Sequence, residues 1–546
     1  MRIEQMKIRQ LLDRCEDGIF AIPEIQREFV WDGRRSAKLL DSIYNRLPIG
    51  NILVWKAAKR FQYFLRKSVG ALPPHNPKNC DIWYLIDGQQ RLIVLYQTRR
   101  GGEITNYYDR EIYFNHICFA LKRGESAFEL MRNPAHGEYI RVSDILSPQW
   151  RRRIKGLSGY KRRRVEHCRN RLLEYRVPVL FMQTDKPEDV RESFLRINSG
   201  GMRVSAADIA FTWASRLGLR RLVNELRDGL PFGYQYVDRS TIQSSAAWMM
   251  GLRDVRGAAI QSFLQKKEDE YFAAGTISEI FTELWRNIHN AITKTVDYLT
   301  SALEIPNYEF LPSENILAVL SIFFYMNDSA QPSARQAREL NKWFWATAVR
   351  GRYSGRGYSS NIISDIRFIA RLAKVPSTRF GFNDRLPMGD LLRAEYRASA
   401  SLTKAFFLLL CTQHPLYLEN AKPIPLGETA SMKNRNDKHH IFPKALLRRA
   451  NIVEREADRL CNICFMVAED NQSFGSKRPR QYLEEFKSKR TFSLVMRSHL
   501  IPHYKGGGLW EKNVRRGYRT FLAQRMHFVI HAFEKQAGGM RLFRKD

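Results

Sequence analysis

The chain has 546 residues, 44% of them hydrophobic and 12% aromatic. A hydrophobic core stops growing at about 250 to 300 residues, so this length predicts two or three domains, and the apolar content excludes general disorder. A formal charge of +33 repels itself in a compact state unless a polyanion offsets it, which makes nucleic acid the expected partner.

Residues 1–210 mix short apolar strands with helices. The strand signals are Asn51–Trp55, Ile82–Ile86, Ile112–Leu121 and Val177–Met182, runs rich in β-branched and aromatic side chains. Between the last two lie Trp150-Arg-Arg-Arg-Ile-Lys and Lys161-Arg-Arg-Arg-Val-Glu, basic runs on helix-compatible sequence. They fit a phosphate-contacting face or a solvated helix surface equally well. From 211 to 425 apolar residues recur every three or four positions, as in Glu314–Tyr325 and Ala337–Thr347, which predicts a helical middle domain with aromatic stripes in its core. Gly, Ser and Arg break the pattern over Arg350–Ser360, which therefore reads as an exposed basic loop. From 426 to 546 the chain is short-stranded around a pair of histidines and then helical, with roughly twice as many basic as acidic residues.

Seven cysteines, at 15, 80, 118, 168, 411, 461 and 464, do not form the even framework of a small secreted domain. The N-terminus lacks an apolar signal core, and no run reaches the roughly 18 apolar residues of a membrane span. The expectation is a cytoplasmic protein that does not enter membranes.

Chemistry concentrates first in Asp437-Lys-His-His-Ile-Phe-Pro-Lys444, followed by Cys461-Asn-Ile-Cys-Phe-Met-Val467 and Ala468-Glu-Asp-Asn-Gln-Ser-Phe-Gly-Ser-Lys477. On a strand, adjacent His439 and His440 point to opposite faces, so one can bind a metal while the other works on water. Pro443 ends that strand, and Asn462 opens a second one. Phosphodiester hydrolysis needs a positioned base and a cation to stabilise developing charge, and imidazole suits the first task near neutral pH. A structural zinc site built from one histidine with Cys461 and Cys464 competes with this reading, as does simple burial of both thiols in a strand.

The order His-His-Ile-x-Pro, Asn in an apolar strand, then Asp-Asn with a nearby Lys resembles the ββα-metal motif of HNH nucleases. That resemblance makes His440 the general base, His439 and Asn471 metal ligands, Asn462 the residue holding the loop that orients His440, and Lys477 a DNA phosphate contact. Many HNH proteins carry Asp where this chain has His439, so Mg²⁺ and Mn²⁺ both stay open.

Three N-terminal segments stand apart: Ile22-Pro-Glu-Ile-Gln-Arg-Glu-Phe-Val-Trp31, Tyr84-Leu-Ile-Asp-Gly-Gln-Gln-Arg-Leu92 and Phe194-Leu-Arg-Ile-Asn-Ser-Gly-Gly-Met-Arg-Val-Ser205. In the second, a strand meets an Asp87-Gly88 turn, and the helix start with Arg91 can cradle phosphate. In the third, Phe194 and Asn198 share a helix face, Gly200-Gly201 can end the helix, and Ser205 with Asp208 reads as a capping box. Taken together the segments resemble the N-terminal domain of GmrSD-type, modification-dependent (type IV) restriction enzymes, a domain related to the ParB/sulfiredoxin fold and associated with nucleoside triphosphate hydrolysis. In that family helices and a C-terminal HNH domain follow, the order seen here.

The resemblance implies an α+β, multidomain protein: a ParB-like mixed α/β domain at 1–210, helices at 211–425 and an HNH domain at 426–546. Gln26, Arg27, Asp87, Gln90, Arg91 and Asn198 would line a nucleotide pocket, with Asp87 as its catalytic or metal-associated carboxylate. No Walker-type phosphate loop is present, and the nucleotide stays unidentified. The implied activity is nucleotide-regulated cleavage of double-stranded, modified DNA in defence against phage, with a homo-oligomer compatible with the sequence. A regulatory nucleic-acid-binding protein with a zinc module, or a toxin-like nuclease indifferent to modification, are the alternatives.

Overall fold

The computed structural model describes residues 2–26, 28–65, 71–76, 78, 81–106, 110–122, 127–135, 137–199, 206–273, 276–355, 357–426, 438–465 and 475–546. It divides into two compact units, Met1–Leu222 with Gln261–Ser278 and Val223–Ile260 with Glu279–Asp546.

The first unit is built on a five-stranded mixed sheet. Its strands are β1 (Arg2–Lys7), β2 (Phe20–Ala21), β3 (Ile52–Ala58), β4 (Asp81–Asp87) and β5 (Arg176–Met182), in the order β1-β5-β3-β4-β2. β5 runs parallel to β3, β3 antiparallel to β4, and β2 parallel to β4. Alternate residues enter opposite cores: Ile52, Val54 and Leu85 one, Leu53, Trp55, Ile82, Tyr84 and Ile86 the other. Burial on both faces explains why the central strands read as continuous apolar runs. Each fully buried aliphatic side chain contributes about 1.5 to 3 kcal/mol.

Helix α1 (Gly33–Tyr44) starts at Asp32, whose carboxylate accepts from the Arg35 amide at 2.8 Å. Helix α2 (Gln89–Arg100) follows β4 directly through Gly88. Gly88 has φ +88°, and a Cβ there would stand 2.9 Å from Cγ1 of Ile52, so glycine is required by both conformation and space. The run Ile112–Leu121, expected as one strand, is broken by a 3₁₀ turn at Phe114–His116, and Ile117–Ala120 becomes the centre of a separate three-stranded sheet. Both basic runs are helical, at Trp150–Arg153 and in α3 (Gly159–Leu173).

The second unit is mainly helical, including α4 (Glu314–Met326), α5 (Ala334–Arg350) and α6 (Tyr358–Lys374). Of the segment expected as a helical middle domain, residues 223–260 and 279–425 lie in it together with the C-terminal segment, while 211–222 and 261–278 belong to the first unit. Over Arg350–Ser360 the expected exposed loop is seen at Arg350, Ser354, Gly355, Gly357, Tyr358 and Ser360, but not at Arg352 and Tyr353. The segment turns between α5 and α6, and Tyr353 is buried. Asp365 accepts hydrogen bonds from Trp343 Nε1 at 3.0 Å, Arg352 Nη2 at 2.7 Å and the Tyr353 hydroxyl at 2.8 Å. A buried carboxylate needs those donors, so part of the basic loop folds inward to supply them.

Candidate active site

β6 (Lys438–His440) pairs antiparallel with β7 (Ile463–Phe465), placing His439 opposite Cys464 and His440 opposite Ile463. The chain then turns through Ile441 and Phe442 into α7 (Lys444–Arg449), with Pro443 at its N-cap. Proline therefore does more than stop the strand, because its fixed φ also suits a helix start.

The two histidines diverge as adjacent strand residues must. His439 is 2% exposed and meets the ring of Tyr482 edge-on at 6.2 Å. The Tyr482 hydroxyl donates to the Ile441 carbonyl at 2.7 Å, fixing that ring beside the strand. His440 lies on the other face, where its Nε2 is 2.8 Å from Oδ1 of Asp458. Lys444 Nζ reaches the same carboxylate at 2.7 Å.

Electrostatics favour a neutral His440. Burial pushes its pKa down, and Lys444 adds to this, although Asp458 acts in the opposite direction. Burial alone would raise the Asp458 pKa, but hydrogen bonds from Lys444 and His440 hold it below the usual carboxylate value. With Nε2–H donated to an ionised Asp458, the Nδ1 lone pair of a neutral imidazole is the atom able to take a proton.

Asn462 is fully buried. Its Oδ1 accepts from the Phe442 amide at 2.9 Å, and its Nδ2 donates to the Phe442 carbonyl at 3.1 Å and the Ala457 carbonyl at 3.0 Å. One side chain thus ties the turn after His440 to the residue before Asp458. The Phe442 ring packs on Tyr518 and Phe521, at 5.4 and 5.3 Å. Those residues belong to the long helix Val514–Gln536 behind the strand pair.

The short helix Pro479–Tyr482 is α8 and the long helix Val514–Gln536 is α9. The fully buried Arg525 of α9 donates to the carbonyls of Cys461 and Ile463 at 3.0 and 2.8 Å, and to those of His499 and Leu500 at 2.9 and 3.2 Å. Cys461 and Cys464 are buried, and burial pushes both thiols up to about 11. Among the described residues no three His, Cys, Asp or Glu side chains converge as a metal cluster. Asn471 lies outside the described residues, and Lys477 is exposed just ahead of α8.

In the first unit, Gln26, Asp87, Gln90 and Arg91 gather at the end of β4. Gln26 Nε2 donates to the Leu85 and Ile86 carbonyls at 2.9 and 2.7 Å. Gln90 accepts from the Val30 amide at 2.9 Å and donates to the Glu28 carbonyl at 3.2 Å. Arg91 pairs with Asp87 at 3.1 Å and also donates to the Asn51 carbonyl. Both glutamines therefore bind the 26–30 segment to the strand-to-helix turn. Arg27 lies outside the described residues, as does the side chain of Asn198, although its helix Pro187–Ser199 is present.

Ser205 of the expected capping box also lies outside them, while Asp208 pairs with the buried Arg220 at 2.9 Å. Sequence reasoning missed Arg220 and Asp458. Asp458 stands 18 residues from His440, and only its position four residues before Asn462 hinted at a shared loop.

Residues 8–214, within the first unit, match the family model of the GmrSD restriction endonuclease N-terminal domain. The chain is also 21% identical over 534 residues to the uncharacterized protein MJ0686 of Methanocaldococcus jannaschii, covering 87% of this chain and 86% of that one. The similarity thus extends beyond the matched domain. Among the described residues no helix is long and apolar enough to cross a membrane.

Proposed function

We propose that the protein is a metal-dependent DNA endonuclease of restriction type, in which the C-terminal HNH segment cuts and the N-terminal unit binds and hydrolyses a nucleoside triphosphate. The observation that carries this reading is the His440–Asp458–Lys444 chain on a strand pair pinned by Asn462. The match over residues 8–214 supports the restriction assignment.

In this reading His440 Nδ1 takes a proton from the attacking water while Asp458 fixes the ring, and Asn462 holds the turn that aims it. A divalent cation, when bound, stabilises charge on the phosphate and the leaving oxygen. His439 offers a nitrogen donor on the opposite strand face, which fits one position of such a site, and Asn471 would supply a second. Lys477, exposed beside this segment, would contact DNA phosphate. In the N-terminal unit the Asp87–Arg91 pair with Gln26 and Gln90 beside it, joined on the family resemblance by Arg27 and Asn198, would take the nucleotide, and nucleotide state together with DNA modification would license cutting.

The test is cleavage of matched plain and modified phage DNA with Mg²⁺ or Mn²⁺ and each nucleoside triphosphate in turn, with His440→Ala as control. Cutting that requires His440 and depends on modification supports the proposal. Cleavage unchanged in His440→Ala rejects the site, and equal cutting of both DNAs rejects modification sensing.

A further inference from the structure

A cleft of about 590 Å³ opens between α7, α8 and the start of α9. Arg449, Arg478 and Arg515 line it with Ser476, Gln481 and Asn513, and among the described residues no acidic or aromatic side chain does so. Arg478 Nη1 donates to the Lys512 carbonyl at 2.9 Å, and Arg515 Nη2 to the Ala450 and Asn451 carbonyls at 3.0 and 3.2 Å. Those bonds fix position without neutralising charge. Among the described residues, none of the three guanidiniums is paired with a carboxylate. Asn513 caps α9, accepting from the Arg516 amide at 3.0 Å, so the positive end of a 23-residue helix faces the same space.

Several arginines elsewhere in the chain are paired with acids, as in Arg220–Asp208, Arg216–Glu268 and Arg352–Asp365. Three unmatched cations around one cleft repel each other, and a polyanion offsets that cost. With no ring to stack a base among the described lining residues, the contacts they offer are to phosphate rather than to base edges. The cleft also has a covalent route to the site above. α7 begins with Lys444, which holds Asp458, and ends with Arg449 in the cleft. Its length is roughly 7 to 8 Å at about 1.5 Å per residue, which is about two phosphate steps at roughly 3.4 Å per strand along a duplex.

We infer that this cleft clamps the backbone of the DNA strand flanking the scissile bond, taking two or three consecutive phosphates without reading sequence. The inference rests on the nuclease reading for its partner, and it is tested by binding rather than by cleavage.

The experiment titrates short DNA duplexes with the full chain over a range of salt concentrations, comparing wild type, R449Q, R449K, the triple variant R449Q/R478Q/R515Q and H440A. Each lost phosphate contact lowers the slope of log K against log salt by about 0.9. The expected loss is about 1 in R449Q and about 2 to 3 in the triple variant, equal for unrelated sequences, with R449K and H440A keeping the wild-type slope. Arg449 is exposed, so R449Q keeps the inference testable if the triple variant fails to fold.

A wild-type slope in folded R449Q overturns the clamp even if His440-dependent cutting is intact. A lowered slope alongside unchanged cutting by H440A supports the clamp and rejects the catalytic assignment instead. Loss of triphosphate binding in R449Q with an unchanged DNA slope assigns the cleft to free nucleotide and also overturns the inference.

Discussion

Replacing Asp458 separates orientation of His440 from its chemistry. Asp458 is the described partner of His440 Nε2, at 2.8 Å, and it also engages Lys444. A hydrogen bond to a charged group contributes about 1.5 to 3 kcal/mol. If that energy holds the imidazole in its working orientation, its loss in Asp458→Ala lowers kcat by about 10- to 150-fold, at roughly 1.4 kcal/mol per factor of ten. Asp458→Asn keeps the shape and an acceptor while removing the charge, so the expected loss is smaller, about 5- to 10-fold. The assay is single-turnover cleavage of a defined duplex, with KM for DNA and thermal midpoint measured on the same samples. KM should stay close to wild type because the carboxylate makes no DNA contact in this account. A full-rate Asp458→Ala beside an inactive His440→Ala would refute the orienting role, and inactivity of Asp458→Asn equal to that of His440→Ala would mean that the carboxylate itself takes part in the reaction.

Three further outcomes are expected. Gly88→Ala forces a side chain into φ +88° and within 2.9 Å of Ile52; it should cost about 1 to 3 kcal/mol, read as a lower urea midpoint. His499 is buried, and burial, with Arg525 adding to it, takes its pKa down to about 4 even though the Leu416 carbonyl acts to raise it. The unfolded state then binds the extra proton first, so stability present above about pH 6.5 falls by about 3 kcal/mol as pH drops to about 4. Urea unfolding of wild type across that range should show this loss, and His499→Gln should flatten it; equal pH dependence in both would remove the argument. An imidazole at 439 in place of a carboxylate suits Mg²⁺ poorly, so cleavage should saturate at lower Mn²⁺ than Mg²⁺ concentration, and His439→Asp should narrow that gap.

Legibility in the sequence followed burial. β3, β4 and β5 were readable because most of their side chains enter a core on one face or the other. β1 was not, since only Met6 of Arg2–Lys7 is buried and the strand lies at the edge of the sheet. The break at Phe114–His116 carries no Gly or Pro to announce it. His439, His440 and Asn462 stood out by residue type and order. Their partners did not, because Asp458, Tyr482 and Arg525 reach them through the turn, the short helix and the long helix that tertiary packing brings back. Arg352 and Tyr353 illustrate the same limit: their composition reads as a loop, and only the fold supplies the carboxylate of Asp365 that turns them inward.

The placement of charge adds a final step. A cation inside the protein needs a negative partner or a set of oriented dipoles. Arg352 has the first in Asp365, and Arg525 has the second in four backbone carbonyls. A guanidinium can serve those carbonyls at once because its five N–H groups form a rigid planar fork, which a lysine ammonium cannot reproduce. Arg525 thereby locks the carbonyls on either side of Asn462, and Asn462 in turn locks the turn after His440. The site is therefore held from behind by a fixed cation, while the arginines of the neighbouring cleft keep their charge for an incoming polyanion. On the proposed reading the +33 excess serves recognition of a polyanion, but Arg525 shows that a basic residue beside the site can be part of the scaffold instead.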